Sequence, residues 1–429
     1  MEDHGQGPPD SSDRLGLTRR GVLAGAAIFG LGAGLDRVLV GGGDTSSGGD
    51  GSGSLAKSVP LYGPQQAGIS TPAQEFVNLA AFDVASDASD DLRSLLQEWT
   101  QAAAALTVGH SYEPGSTGPG QPPVDTGEAI GLGPAQLTIT IGFGPSLFGS
   151  RARPRFGLGR FRPSTLRRLP AFRGESLDPE RSDGDLCVQA CADDPQVAFH
   201  AIHLFTRIAS DVAALRWAQQ GFGRTSATSR SQTTTRNLMG FKDGTDNIRA
   251  EDNDAMEKFV WVQRGDGPTW MEGGSYLILR RIQMLFDVWD ATSLEGQQRV
   301  FGREKLSGAP LGERNEYDSV DLSAKENGEL TIPADAHIRL ASPDYNDGQR
   351  ILRRGYSYAE PPEPGSGQID AGLLFICFQR DPQGQFIPIQ HRLAASDALN
   401  HHTLHTASAI FACPPGANPG GFIGEGLFT

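Results

Sequence analysis

The chain has 429 residues, of which 38% are hydrophobic and 21% charged, and its formal net charge at pH 7 is −14. This length allows two domains with sizeable cores, and the composition is that of a soluble globular protein. The acidic balance argues against non-specific binding to nucleic acid and against adhesion to anionic membranes, since both need a basic surface. Four cysteines are too few for a disulfide framework.

The first 40 residues are predicted to be a twin-arginine export signal. A threonine and two arginines at 18–20 precede a weakly hydrophobic run of glycine, alanine and other apolar residues at 24–35. A transmembrane anchor is the alternative, but the run is short, rich in glycine and followed directly by two charged residues. We therefore expect export to the periplasm or the extracellular space. Residues 41–58 are predicted to be a flexible Gly/Ser-rich linker.

The first half of the folded part is expected to contain strands and helices in alternation. Apolar residues at helical spacing predict a helix over 89–105, after a strand over 75–83. Strict alternation predicts a strand over 135–143, and another strand is expected over 186–192. A second amphipathic helix is predicted over 196–219. Two cysteines on the strand 186–192 should share one face as buried apolar thiols.

The second half repeats this order. Long strands are predicted over 274–285 and 372–379, each followed by a helix, over 287–302 and roughly 397–404. The repetition predicts an α+β fold of two similar domains with antiparallel sheets. Their boundaries are placed at 59–225 and 226–416, with a tail over 417–429.

One glycine-bracketed loop stands out, the stretch Asn-Leu-Met-Gly-Phe-Lys-Asp-Gly-Thr-Asp-Asn over 237–247. Gly240 and Gly244 allow positive φ angles and let a large group approach the carboxylate of Asp243. An aspartate in such a loop can equally be a turn former that hydrogen-bonds its own backbone. The loop alone leaves both interpretations open.

Two later stretches favour a functional aspartate. These are Ala-His-Ile-Arg-Leu-Ala-Ser-Pro over 336–343 and Ile-Leu-Arg-Arg-Gly-Tyr-Ser over 351–357. Together with the loop, in this order and at this spacing, they resemble the DyP-type (dye-decolorizing) haem peroxidases, and the similarity extends from about 60 to 415. The exported branch with the iron-uptake deferrochelatase/peroxidases is the most similar. The resemblance implies two ferredoxin-like domains, with one haem b per chain in the C-terminal domain.

On the proximal side of the haem, the resemblance implies that His337 is the axial ligand of the iron. The alternative is a loop histidine that caps a strand over 338–340. Asp397 matches the carboxylate that orients such a ligand through its other ring nitrogen. Capping of the last helix is the competing role for Asp397, and one carboxylate is not expected to serve both.

On the distal side, Asp243 matches the family's catalytic aspartate, which moves a proton between the peroxide oxygens. Arg353 matches the arginine that stabilises the developing charge. The adjacent Arg354 should point elsewhere, because neighbouring side chains of an extended segment lie on opposite faces. Leu373 and Phe375 match the apolar pair that lines the distal pocket. A carboxylate base predicts an acidic pH optimum.

Other histidines and two acidic loops are further candidates for a metal site. His401 and His405 form an i, i+4 pair on a predicted helix, beside His402, but the glutamate of a hydrolytic zinc site does not follow. A solvated helix face is the plainer interpretation. His200 and His203 are expected to be structural or surface residues. Calcium is disfavoured for the loops 243–247 and 344–348, which lack the EF-hand ligand spacing.

The predicted function is a haem-dependent peroxidase that reduces hydrogen peroxide and oxidises dyes, phenolics or similar bulky donors. Besides hydrogen peroxide and the donor, the expected partner is the twin-arginine export machinery. Binding to nucleic acid is not expected, and a homo-oligomer is possible. One alternative is a deferrochelatase-type protein that handles haem or iron for an iron-uptake system. Another is a haem-free binding module that uses its acidic surface.

Overall fold

The computed structural model describes residues 56–115, 118–149, 153–362, 367 and 369–429. The predicted export signal (1–40) and nearly all of the predicted linker (41–58) lie outside these ranges. The strands are β1 (Phe76–Val84), β2 (Thr138–Phe143), β3 (Leu186–Ala192), β4 (Ala213–Arg224), β5 (Ser275–Met284), β6 (Lys325–Glu326), β7 (Glu329–Leu330), β8 (Leu352–Arg353), β9 (Tyr356–Glu360), β10 (Asp370–Gln379) and β11 (Thr403–Cys413).

Among the described residues, the helices are shorter than the strands in total length. They are α1 (Ser89–Leu106), α2 (Pro195–Ala209), α3 (Asn253–Phe259), α4 (Phe286–Asp290), α5 (Leu294–Phe301), α6 (His337–Ala341) and α7 (Phe386–Ser396). Within the described ranges, none of them is long and apolar enough to cross a membrane.

Nine strands form one antiparallel sheet in the order β5-β11-β2-β3-β1-β4-β9-β10-β8. Because β5 also pairs with β10, the sheet returns on itself. Strands of both predicted halves join it directly: β4 pairs with β9, and β11 pairs with β2. The α+β class and the antiparallel pairing are confirmed, whereas the division into domains at 59–225 and 226–416, with a tail from 417, stays a prediction.

The first half of the chain packs its two long helices together on the sheet. Trp99 of α1 is fully buried, with its ring 5.2 Å from that of Phe82 on β1 and 5.3 Å from that of Phe205 on α2. Its indole N–H donates to the carbonyl of Phe205 at 3.0 Å, so the ring carries no unsatisfied polar group into the core. Cys187 and Cys191 on β3 are buried and free, as predicted.

The predicted helix over 196–219 is wrong in its second half. Asp194 caps α2 by accepting from the amides of Gln196 and Val197, but the helix ends at Ala209, and β4 begins at Ala213. The segment is rich in alanine, leucine, arginine and glutamine, which favour helices. Pairing with β1 overrides that preference, because it builds one of the central ladders of the sheet.

The last predicted helix, over 397–404, is also wrong. The structure has α7 before it, a short 3₁₀ turn over Ala398–His401, and then the long strand β11. The predicted helix over 287–302 is split into α4 and α5, and the hydroxyl of Ser293 caps the second piece by accepting from the amide of Gly296. These corrections matter because β5, β10, β11, α5, α6 and α7 surround the candidate site.

Candidate active site

All six residues predicted for the site line a single cavity of about 270 Å³. It is bounded by β5, β10 and β11 on the sheet side, by α5, α6 and α7, and by the glycine-bracketed loop. Leu373 and Phe375 lie two residues apart on β10 and both face the cavity, as the period of a strand requires. Much of the remaining lining is apolar, which suits a flat hydrophobic group.

His337 opens the short helix α6 and makes one short contact, from its Nδ1 to Oδ2 of Asp397 at 2.6 Å. The predicted alternative, a cap on a strand over 338–340, is wrong because this segment is helical. Burial disfavours the imidazolium, but the charge and hydrogen bond of Asp397 outweigh it, so the pKa of His337 is raised. With Nδ1 engaged, Nε2 is the ring nitrogen available to a ligand in the cavity.

Asp397 serves both of the roles that were expected to compete. Its Oδ2 accepts from His337, and its Oδ1 accepts from the amide of Leu399 at 2.8 Å, which caps the 3₁₀ turn. The expectation of a conflict is therefore wrong, because each carboxylate oxygen takes one role. The cap fixes the carboxylate, and the carboxylate in turn fixes the orientation of the imidazole.

Asp243 is held by Arg353, whose Nη1 donates to its Oδ1 at 2.8 Å. The two side chains are only 15% and 27% exposed, and both line the cavity. The amide of Asp243 donates to the carbonyl of Thr235 at 3.0 Å, which ties the loop to the segment that precedes it. Gly244 has a φ of +81°, and a Cβ there would lie 2.8 Å from the Cα of Ser226. Glycine is therefore required at this position.

Arg353, the last residue of β8, and the adjacent Arg354 point to opposite sides. Arg353 faces the cavity, while Arg354 is fully buried and donates to the carbonyl of Thr71 and to Oε1 of Gln74. Arg354 thus ties the second half of the chain to a segment near its beginning. The structure agrees with the choice of Arg353 for the cavity.

The i, i+4 histidine pair considered as a rival metal site does not lie on a helix, and the preferred interpretation as a solvated helix face is wrong for the same reason. His401 lies in the 3₁₀ turn and His405 on β11, so they do not share a helix face. Among the described residues there is no group of three or more His, Cys, Asp or Glu side chains suited to a metal ion. His405 does line the cavity, and burial together with the nearby charge of Arg280 lowers its pKa to about 3. It is therefore a neutral imidazole.

Sequence reasoning missed a buried polar network on one side of the cavity. Arg280 on β5 is only 1% exposed and donates to Oε2 of Glu175 at 2.6 Å, to Nδ1 of His405 at 3.2 Å and to the hydroxyl of Ser408 at 2.9 Å. Glu175 lies 105 positions earlier in the chain. No local pattern signals a partnership over that distance. Asn247, whose partner Arg353 is 106 positions away, was missed in the same way.

Comparison with known proteins is consistent with this geometry. The chain matches the family model described as "Dyp-type peroxidase, N-terminal" over residues 66–223 and the one described as "Dyp-type peroxidase, C-terminal" over residues 234–418. A dye-decolorizing peroxidase of Thermobifida fusca is 40% identical, covering 98% of this chain and 99% of the relative. A deferrochelatase of Escherichia coli is 39% identical, covering 83% and 84%.

Solved structures agree with the sequence comparison. A DyP-type peroxidase from Streptomyces coelicolor matches with a TM-score of 0.80 and 38% identity, over 88% of this chain and 99% of that one. The ferric form of DtpA from Streptomyces lividans matches with a TM-score of 0.80 and 38% identity, over 89% and 99%.

Proposed function

This chain belongs to the DyP-type peroxidase family of haem-binding enzymes, and on that premise we propose that its cavity binds one haem b per chain, with His337 as the axial ligand of the iron. The observation that carries the proposal is the donor set. Asp397 occupies Nδ1 of His337 and leaves Nε2 for the metal, as is usual for a ligating histidine. The apolar side chains of Leu373 and Phe375 suit a porphyrin face.

The bound haem supplies the iron at which hydrogen peroxide is reduced and the oxidising equivalents that donors then remove. The chain itself supplies proton transfer and charge. Asp243 takes the proton from one peroxide oxygen and returns it to the other, which leaves as water. Arg353 holds the carboxylate of Asp243 at 2.8 Å and offers its remaining N–H groups to the departing oxygen. An acidic optimum follows from the use of a carboxylate as base.

The donor is proposed to be a dye, a phenolic compound or a similarly bulky small molecule. This rests on the 40% identity to a dye-decolorizing peroxidase over almost the whole chain. Export by the twin-arginine machinery to the periplasm or the extracellular space is proposed from the arginine pair and apolar run within residues 1–40. Ferredoxin-like topology in each of the two predicted domains is part of the same proposal.

A second candidate function is supported by the deferrochelatase relative, which is 39% identical. In that case the cavity takes in haem as a substrate for an iron-uptake system, and peroxide turnover is secondary. The two candidates differ in product. A peroxidase returns haem unchanged after many turnovers, whereas a deferrochelatase releases iron and leaves an iron-free porphyrin.

The experiment is a haem titration of the purified apoprotein, followed by peroxide. We expect a Soret band that saturates at one haem per chain, and oxidation of a phenolic donor that depends on both haem and peroxide. Loss of iron from the porphyrin, measured by fluorescence of the metal-free product, would favour the second candidate. A protein that stays colourless with added haem would contradict both and favour a haem-free binding module.

A further inference from the structure

We propose that Asn247 is a positioning residue that holds the backbone of Arg353, so that the loop carrying Asp243 and the strand carrying Arg353 keep one register. The inference rests on the roles proposed above for Asp243 and Arg353. Asn247 does not line the cavity and touches neither reacting group with its side chain. Its effect is exerted through the main chain.

Both the oxygen and the nitrogen of the Asn247 side-chain amide make hydrogen bonds. It is 5% exposed, and its Oδ1 accepts from the amide of Arg353 at 2.8 Å. Its Nδ2 donates to the carbonyl of Arg353 at 2.8 Å and to the carbonyl of Ala227 at 3.0 Å. Three of the four hydrogen bonds that a side-chain amide can make are therefore present, all to main-chain atoms.

The backbone of Arg353 needs these hydrogen bonds because of the position of β8 in the sheet. Strand β8 has only two residues and stands at the end of the strand order, with β10 as its neighbour. On the β10 side, the amide of Arg354 donates to the carbonyl of Ile376 at 2.8 Å. On the opposite side, the amide and carbonyl of Arg353 would otherwise be free. The side chain of Asn247 satisfies both, as a neighbouring strand would.

The hydrogen bonds of Asn247 connect the two residues of the proposed catalytic pair, Asp243 and Arg353, through the backbone. Asn247 lies four residues after Asp243, and its own amide donates to the carbonyl of Gly244 at 3.2 Å. Its side chain fixes the backbone of Arg353, and the Arg353 guanidinium returns to Asp243. A shift of the loop against the strand would therefore separate the carboxylate from the guanidinium, and displacements of about 1 Å can cost 100-fold in rate.

A purely structural role is the competing interpretation, and the chain contains a matched control for it. Gln66 is 2% exposed and makes the same set of bonds. Its Nε2 donates to the carbonyls of Ile141 and Pro414, both at 2.9 Å, and its Oε1 accepts from the amide of Ile141 at 2.8 Å. Gln66 does not line the cavity. Removing either amide costs the same kinds of bond, but only Asn247 holds an active-site strand.

The test compares haem-loaded Asn247→Ala and Gln66→Ala with the wild type. We expect similar losses in melting temperature and similar haem affinity for both variants. The value of kcat/KM for peroxide should fall about tenfold or more in N247A and less than twofold in Q66A, with an unchanged KM for the donor. In the apoprotein, hydrogen exchange at the Arg353 amide should speed up only in N247A.

A double-mutant cycle separates this inference from the proposed function. In an Asp243→Asn background, removal of Asn247 should cost less than a further twofold, because Asn247 acts by keeping the Asp243 carboxylate and the Arg353 guanidinium in register, and that pairing is already lost. Equal losses in N247A and Q66A, or full additivity with D243N, would overturn the inference. A wild type without peroxide turnover would overturn the proposed function instead. Hydrogen exchange at the Arg353 amide would still test whether Asn247 holds the backbone of Arg353. If N247A does not fold, Asn247→Ser takes its place.

Discussion

At the scale of single residues, two mostly buried carboxylates of the cavity each hold a nitrogen group in place. Asp397 takes Nδ1 of His337 at 2.6 Å, and Asp243 takes Nη1 of Arg353 at 2.8 Å. In the proposed function, the first pair orients a histidine ligand for the iron, and the second pairs a base with a positive hydrogen-bond donor. The proposed function therefore places an iron ligand and a proton-transfer pair in one cavity.

The residue that the account depends on for proton transfer is Asp243. Replacing it with asparagine keeps the size and one acceptor oxygen but removes the base. We expect kcat/KM for peroxide to fall by about 100-fold or more, with haem affinity within twofold of the wild type. Stopped-flow absorption after peroxide mixing measures the first quantity.

The control for this prediction is Asp246→Asn in the same loop. Asp246 also lines the cavity and pairs with Arg350 at 2.9 Å, but its side chain is 65% exposed. This exposed pair should contribute little to stability, and its loss should leave the peroxide reaction within about threefold of the wild type. Equal effects of the two variants would show that general loop charge matters, rather than a base at residue 243.

At the scale of elements, the Asp243 loop depends on a backbone conformation that only glycine accepts without strain. We expect Gly244→Ala to destabilise the protein and to lower peroxide turnover, because the added Cβ would lie 2.8 Å from the Cα of Ser226 at a φ of +81°. The matched control is Gly265→Ala, where φ is +93° and no atom of the described residues lies within 4 Å of the added Cβ.

The control variant should lose only the conformational term, about 1 to 2 kcal/mol in the free energy of unfolding. G244A should lose more than this, because the backbone of a neighbouring segment must also move. Urea denaturation measures both. A loss in G244A no larger than that in G265A would contradict the close packing of the loop against Ser226.

A second element-scale feature is the attachment of α2 to the loop between α1 and β2. Glu128 bridges two histidines of the helix, with Oε2 at 2.7 Å from Nδ1 of His200 and Oε1 at 2.6 Å from Nδ1 of His203. Burial works against its charge, but hydrogen bonds from Thr126, His200, its own amide and His203 lower its pKa to about 2. A lowered folded-state pKa stabilises the protein only while the carboxylate is ionised.

The sign of the pH dependence follows from that shift. The contribution of Glu128 is fully present above its ordinary value of 4.5 and is lost as the pH falls toward about 2. We expect Glu128→Gln to be less stable by about 1 to 2 kcal/mol at pH 6, since the partly exposed site is screened by solvent, and to match the wild type near pH 2. Melting curves across this range would contradict the account if the difference grew on acidification.

At the scale of the whole molecule, one sheet joins both predicted halves of the chain. β4 pairs with β9, β11 pairs with β2, and the guanidinium of Arg354 reaches Thr71 and Gln74 near the start of the fold. We therefore expect one cooperative unfolding transition, with the same midpoint by tryptophan fluorescence and by far-ultraviolet circular dichroism. Two separated transitions would indicate that the halves fold independently.

The six residues predicted for the site all line one cavity, whereas several of the elements around it were predicted wrongly. Asp243, His337 and Arg353 lie in the short motifs that carry the family resemblance, so they could be named from the sequence, and their roles stay predictions. The strand β4 could not, because its alanine, arginine and glutamine content favours a helix and only pairing with β1 overrides it. The start of strand β11 was likewise predicted as part of a helix, and helix α7 was not predicted.

Partnerships across the chain were also beyond the sequence. Asn247 stands inside the quoted loop motif, yet its bond to Arg353 spans 106 positions and has no local signature. Arg280 and Glu175 are 105 positions apart. For Asp397, the two roles were each foreseen, but their compatibility depends on which oxygen faces which donor. Such facts are properties of the folded chain and follow only from its geometry.

The central claim is that His337 is the ligand of a catalytically active haem. The most direct test is the absorption spectrum of the haem-reconstituted wild type beside His337→Ala and His405→Ala, which removes another histidine of the same cavity. We predict a Soret band in the wild type and in H405A that changes on addition of peroxide, and a weakened or shifted band without that change in H337A. An unchanged band and peroxide response in H337A would contradict the account.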